Sequence, residues 1–217
     1  MDQEKSLRRA LIAKALDMNR LRLNQGTSGN LSARLDEAML ITPTATPYDR
    51  LKPRMIARMD LDGGEAWKGP LKPSSEWRFH RDIYLARAEA GAVVHAHSTY
   101  ATALSMLRRP IPAVHYMIAA FGGPDIRCAD YAPYGTPELS ALAVEGLRDR
   151  NGVLLGNHGM IVIGRDLDEA MWRAVELETL AKQFWIASLA GAPVVLPDEE
   201  IARTVERFRG YGLKPER

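Results

Sequence analysis

His95 and His97 stand two residues apart, directly after the apolar run Ala92-Val93-Val94, in a chain that holds five histidines in all. If that run is a strand, residues i and i+2 project from one face, and the two imidazoles are close enough to share an ion. Two neutral core histidines, each hydrogen-bonded, would leave the same local pattern. His158 tips the reading toward a metal, because it sits in a tight turn, Gly156-Asn157-His158-Gly159, between two apolar segments. There a side chain is held by rigid scaffold and is still reachable, although histidine also suits turns for backbone reasons. Three imidazoles plus a carboxylate or water complete a tetrahedral zinc site, with Zn–N near ~2.0–2.1 Å. Cys128 is the single cysteine, so no thiolate set competes. A His-rich set with an exchangeable position is the pattern of a catalytic ion rather than a structural one.

The candidate carboxylate is Glu76 in KPSSEWRFH. Its plain alternative is a first-turn glutamate stabilised by the helix dipole. Ser74 and Ser75 precede it and read either as helix N-caps or as donors to an anion such as phosphate. The loop GTSGN, residues 26–30, offers a second set of donors. His80 falls one turn beyond Glu76, where a supporting or surface role is expected. His115 has no spacing that ties it to the others.

Several elements must position these groups. Leu7, Leu11, Ala15, Met18 and Leu21 recur at helical spacing and predict a helix over 4–23, ended by the glycines of NQGTSGN. LSARL and AMLIT read as a hairpin, followed by a short strand near MIARMD. A helix with Ser74 or Ser75 as N-cap and Gly91 as terminator follows. AVVHAH reads as a strand and STYATALSML as a helix. Thr136 and Pro137 begin another helix, VLLGNHGMIVIG gives two strands pinched at the His158 turn, residues 167–190 form a long helix closed by Gly191, and DEEIARTVERFRGYG a last one. Helices spread among short, hairpin-prone strands predict an α/β chain, one three-layer α/β/α domain over 1–217 with a mixed, largely antiparallel sheet.

Composition narrows the function classes. With 29 Lys+Arg against 27 Asp+Glu and no long basic run, nucleic-acid binding has little support. No stretch approaches the ~20 apolar residues of a membrane span, and the charged N-terminus has no apolar leader segment. A lone cysteine fits a reducing compartment, so a cytoplasmic location is expected.

Taken together, the segments GTSGNLSAR, MLITPTATPY, LKPSSEWRFHRDIY, VVHAHS, IPAVHYMIAA, GNHGMIV and DEEIARTVERFRGYGLK resemble the class II aldolase/adducin family, on its fuculose-phosphate-cleaving side. The resemblance spans nearly the whole chain. It implies a divalent metal, usually Zn2+ with Co2+ or Mn2+ as alternatives, on His95, His97 and His158, with Glu76 as fourth ligand at rest. It implies a phosphate site from Gly29, Asn30, Thr44, Ala45, Ser74 and Ser75, and a pocket lined by Thr27 and Tyr134. It also implies a cyclic homotetramer in which Tyr116 acts across a subunit interface and Tyr211 acts from the C-terminal tail. Two positions depart from the fuculose-phosphate pattern: Ala45 stands for a glycine and Tyr134 for a phenylalanine, which leaves the sugar open.

The implied reaction is reversible cleavage of a ketose 1-phosphate between C3 and C4, giving dihydroxyacetone phosphate and an aldehyde. Lys52, Lys68 and Lys72 lie in polar segments and none is an obvious Schiff-base lysine, so a Lewis-acid ion would have to stabilise the carbanion. L-fuculose 1-phosphate is the substrate type expected. The alternatives are 5-deoxyribulose 1-phosphate or 5-methylthioribulose 1-phosphate in a salvage role. Pentulose-phosphate 4-epimerases of the family carry aspartate where this chain has Glu76, and methylthioribulose-1-phosphate dehydratases fit the WRFH and IPAVHYMIAA contexts less well. Adducin-type interaction modules lose the metal ligands that this chain keeps.

Overall fold

A computed structural model describes residues 2–208; Tyr211 lies outside the described residues. Eight strands form one sheet: β1 (Asn30–Leu35), β2 (Ala38–Ile41), β3 (Ala57–Asp60), β4 (Ala92–Ala96), β5 (Ile111–Pro112), β6 (Asp125–Ala129), β7 (Gly152–Leu155) and β8 (Gly159–Gly164). Their order is β3-β2-β1-β4-β8-β7-β6-β5. Every neighbouring pair is antiparallel except β6 with β7. A parallel pair needs a crossover, and helix α4 (Pro137–Gly146) supplies it.

Alternation along the strands divides the core between two faces. Leu31 and Ala33 of β1, Val94 and Ala96 of β4, and Met160 and Val162 of β8 face helices α1 (Asp2–Arg20), α3 (Thr99–Met106) and α5 (Leu167–Ala190). Met39 and Ile41, Val93, Ile161 and Ile163 face the other way, toward Phe79 and Ile83 of α2 (Trp77–Ala86) and Leu139 and Ala143 of α4. Full burial of side chains of this size contributes about 1.5–3 kcal/mol each. The result is the three-layer α/β/α arrangement with a mixed, largely antiparallel sheet. Helix α6 (Asp198–Phe208) packs on the 3-10 turn Tyr116–Phe121. No helix among the described residues is long and apolar enough to cross a membrane.

Some boundaries differ from the sequence pattern. Helix α1 stops at Arg20 rather than at the glycines, because Arg22 takes a left-handed φ of 58° while Leu23 N–H donates to Met18 O at 2.9 Å. This is a Schellman-type ending without glycine. Neither Ser74 nor Ser75 caps α2. Glu76 is its N-cap residue, and the Ser74 hydroxyl accepts from the Glu76 N–H at 3.2 Å. The helix ends at Ala86, and Gly91 instead donates its N–H to Gly164 O beside β4. β5 and β6 were not legible, β5 being two residues long and proline-containing and β6 lacking a buried apolar run. By contrast, the β1–β2 and β7–β8 hairpins, Thr136 as N-cap, and the long helix closed by Gly191 stand as the sequence predicted.

The core beneath α2 contains polar groups. His80, expected as a supporting or surface residue, is wholly buried, as is Ser32. Ser32 Oγ lies 2.7 Å from His80 Nδ1 and 2.8 Å from the Tyr84 hydroxyl. Burial, with a smaller contribution from nearby His95, pushes the His80 imidazole down from 6.5 to about 3, against a weaker opposing pull from Glu76. The folded pKa is depressed, so the contribution of neutral His80 is fully present above pH 6.5 and is lost as pH falls toward 3, where only the unfolded chain takes the proton. Denaturant unfolding of metal-free protein should therefore show wild type losing its stability advantage over His80→Gln between pH 6.5 and 4. An advantage that stays constant over this range would mean that His80 titrates normally in the fold.

Candidate metal centre and active site

β4 delivers His95 and, one residue past its end, His97, both from the α2 face. His95 is fully buried, and its Nδ1 lies 2.9 Å from the Met160 carbonyl on β8. A carbonyl only accepts, so Nδ1 carries the hydrogen and Nε2 presents a lone pair inward. His97 Nε2 is 2.9 Å from that nitrogen. The hairpin turn between β7 and β8, in which Asn157 takes a φ of 55°, swings His158 to the same point. The donor nitrogens of His95, His97 and His158 all lie within 4.8 Å of one another.

Glu76, at the start of α2, closes the group. Its Oε2 is 3.2 Å from His95 Nε2 and its Oε1 is 3.2 Å from His158 Nε2. Yet Oε1 is buried and no hydrogen bond is directed at it. Burial pushes the Glu76 carboxyl up, but positive charge at His95 and His158 outweighs it and holds the group well below the usual carboxylate range; with neutral rings, a cation among them would supply that charge. Burial, then the neighbouring His95 and His158, push His97 down to about 4, against Glu76. An inward lone pair, a neutral second imidazole, a third ring and an incompletely satisfied carboxylate form an electron-rich buried cluster that fits a divalent cation. Nδ1 of His95 bonded to a backbone carbonyl is also the usual outer support of a metal-ligating histidine.

Two contacts explain why the surrounding loops have this sequence. A Cβ on Gly159 would come within 2.5 Å of Ala96 O and 2.9 Å of the His97 ring, so only glycine lets the turn close over the site. Gly29 has a φ of 72°, and a Cβ there would meet Asn24 at 2.1 Å. Asn24 Oδ1 in turn accepts the His97 N–H at 2.9 Å, and the Tyr48 hydroxyl donates to Gly29 O at 2.8 Å. The glycine loop and the end of β4 are thus pinned through one buried asparagine.

The cluster opens into a cleft of about 360 Å³ lined by Thr27, Gly29, Asn30, Thr44, Ala45, Ser74, Ser75, Glu76, His97, Tyr134 and His158. These residues come together as the sequence suggested. Ser75 and Ala45 are exposed there, and neither backbone N–H donates a hydrogen bond among the described residues. The Thr44 N–H, by contrast, is used by Lys72 O. Asn30 is buried, its Nδ2 donating to Glu76 Oε2 at 3.0 Å. Tyr116 is 54% exposed on its 3-10 turn and is not part of this cleft. Ser28, Pro43, Tyr131, Ala132 and Asn157 also line it and were not singled out from sequence. Asn157 and Tyr131 adjoin recognised motifs, whereas Asn24 and Tyr48 act through folding and left no local signal.

Comparison with known proteins agrees with this geometry. The Class II Aldolase and Adducin N-terminal domain family matches residues 9–185. An L-fuculose phosphate aldolase of Escherichia coli is 48% identical, with 99% of each chain covered. A 5-methylthioribulose-1-phosphate/5-deoxyribulose-1-phosphate aldolase of Rhodospirillum rubrum is 47% identical over 95% of this chain and 93% of its own. Among solved structures, an L-fuculose 1-phosphate aldolase superposes with a TM-score of 0.91 at 40% identity, covering 94% of this chain and 96% of the other. Matched by the family over most of its length and by relatives of 47–48% identity over nearly all of it, the chain belongs to the class II aldolase and adducin family.

Proposed function

We propose that the protein is a metal-dependent aldehyde-lyase that reversibly cleaves a ketose 1-phosphate of the L-fuculose type to dihydroxyacetone phosphate and an aldehyde. The observation that carries this reading is the convergence of Glu76 with three imidazoles beside a cleft that presents unused N–H donors. His95, His97 and His158 would hold the ion, Zn2+ or another divalent metal such as Co2+ or Mn2+, with Glu76 joining them at rest. Such an ion supplies Lewis acidity toward the ketose carbonyl.

The chain's own residues supply the rest. The Ser75 and Ala45 N–H groups, with the hydroxyls of Ser74, Ser75 and Thr44 and the Gly29-Asn30 loop, bind the phosphate near the positive end of α2. A phosphate fixed there orients the reacting carbons with binding energy from a remote group. In cleavage, the C3–C4 bond breaks, the C4 hydroxyl loses its proton to become the aldehyde, and the electron pair stays on C3. Glu76, turned from the imidazoles and protonated from solvent, delivers that proton to C3 and removes it in the condensation direction. Tyr116 relays the C4 hydroxyl proton, its oxygen accepting that proton as its own phenol proton passes to solvent. Its exposure and its absence from the lining of its own chain's cleft support a role in a neighbouring subunit's site, within a cyclic homotetramer. Thr27 and Tyr134 are exposed at the cleft mouth, where the aldehyde end leaves.

A second reading has its own observation. Tyr131 and Tyr134, 56% and 72% exposed, put two aromatic rings on the cleft rim, a surface suited to a methylthio or methyl terminus. The relative of 47% identity bears a name of that kind. A coupled assay for dihydroxyacetone phosphate with L-fuculose 1-phosphate, 5-methylthioribulose 1-phosphate and 5-deoxyribulose 1-phosphate separates the two readings.

Chelation should abolish dihydroxyacetone phosphate release, and Zn2+, Co2+ or Mn2+ should restore it. Glu76→Gln should bind ketose phosphate with little change yet turn over about 10²–10⁴-fold more slowly. Full activity in chelated protein, verified by metal analysis, would sink the proposal. Ser75→Asp should raise the KM for the ketose phosphate at least about tenfold through like-charge repulsion at the anion site, with metal content unchanged. An unaltered KM would remove Ser75 from the phosphate site.

A further inference from the structure

Glu76 is reached from the interior by a chain of four other polar side chains, Tyr84, Ser32, His80 and Asn30, all of them buried. The Tyr84 hydroxyl lies 2.8 Å from Ser32 Oγ, Ser32 Oγ 2.7 Å from His80 Nδ1, His80 Nε2 2.5 Å from Asn30 Oδ1, and Asn30 Nδ2 3.0 Å from Glu76 Oε2. Valence settles the direction of every link. An ionised carboxylate only accepts, so the Asn30 amide donates to it, and the Asn30 carbonyl must then accept from His80 Nε2–H. A neutral imidazole has one N–H, which leaves Nδ1 as acceptor for the Ser32 hydroxyl, and Ser32 accepts from Tyr84. All four hydrogens point toward Glu76.

The topology makes His80 the keystone of this chain. It sits one turn after Glu76 on α2, and Asn30 and Ser32, two apart on β1, grip its two ring nitrogens. Phe79 stacks on it at 4.8 Å and also meets His95 edge-on. When Glu76 leaves the imidazoles, the Asn30 hydrogen bond is the contact it can keep.

We infer that His80 is a positioning residue for the aldolase reaction: through Asn30 it holds Glu76 Oε2 as a pivot, so that the carboxylate turns from its three imidazole neighbours to the substrate carbon without losing its orientation. The inference rests on the reading of Glu76 as the group that moves the C3 proton.

Two variants separate positioning from plain packing. Glutamine places its amide nitrogen where Nε2 lies and keeps a donor to Asn30. Asparagine reaches only the Nδ1 position and leaves the Asn30 carbonyl without a donor. His80→Asn should lower kcat by about 10- to 100-fold, with KM changed less than about threefold and metal content intact. His80→Gln should recover most of that kcat, although both variants unfold at similar, lowered temperatures. In metal-free wild type, the imidazole nitrogen NMR spectrum should show His80 protonated at Nε2 alone. Equal losses in kcat for the two variants, wild-type turnover in His80→Asn, or a hydrogen on Nδ1 would each overturn the inference. Glu76→Gln is assayed beside them. If it is crippled while His80→Asn is not, the positioning role alone fails; if it is fully active, the reading of Glu76 falls and the inference with it.

Discussion

The hydrogen bond from His95 Nδ1 to the Met160 carbonyl is the contact on which the centre depends. It spans the β4–β8 pairing in the middle of the sheet, where His95 stands opposite Ile161. By occupying Nδ1, it turns the Nε2 lone pair of a fully buried ring toward His97 and Glu76. A buried cluster of this kind is costly unless charge balances it. The fold therefore places its most electron-rich site in its most rigid region and leaves a cation to offset the cost.

The two sheet faces divide the remaining work. Helices α1, α3 and α5 give one face an apolar support whose residues take no part in the cleft. On the other face, α2 and the turn before it contribute Ser74, Ser75, Glu76 and His80 from one stretch of seven residues. The carboxylate, the exposed Ser75 N–H and the His80 ring are consequently carried as one body. Packing of Phe79 and Ile83 against the sheet holds that body at a set distance from β4. Catalytic geometry here is a consequence of where one short helix docks.

That arrangement also explains what could be read from the sequence. Strand alternation made His95 and His97 neighbours, and the apolar runs on either side of Gly156–Gly159 exposed the His158 turn, because both are local patterns. The first helix ended earlier than its apolar periodicity suggested, since a left-handed arginine can do the work of a glycine. His80 and Asn24 were opaque for another reason. Their partners are Asn30 and Ser32 for one and the His97 backbone for the other. These links form only when β1 pairs with β4 and α2 docks, and no spacing within either segment records them.

Backbone strain points to the same cleft from an independent direction. Ala45 takes a φ of 48° and Asn157 one of 55°, and both line the cleft. A left-handed conformation costs an alanine roughly 1–2 kcal/mol, whereas asparagine tolerates it better and glycine bears no such penalty. Ala45 occupies the position where glycine would relieve that cost, so something must hold the conformation in place. The turn lies between the Thr44 N–H bond to Lys72 O and the buried ring of Tyr48, and between them they fix the backbone on either side. The bent turn presents the unused Ala45 N–H at the cleft beside that of Ser75. Strain retained at a ligand site is a common feature of binding turns, and here it leaves the Ala45 N–H unpaired on the cleft wall.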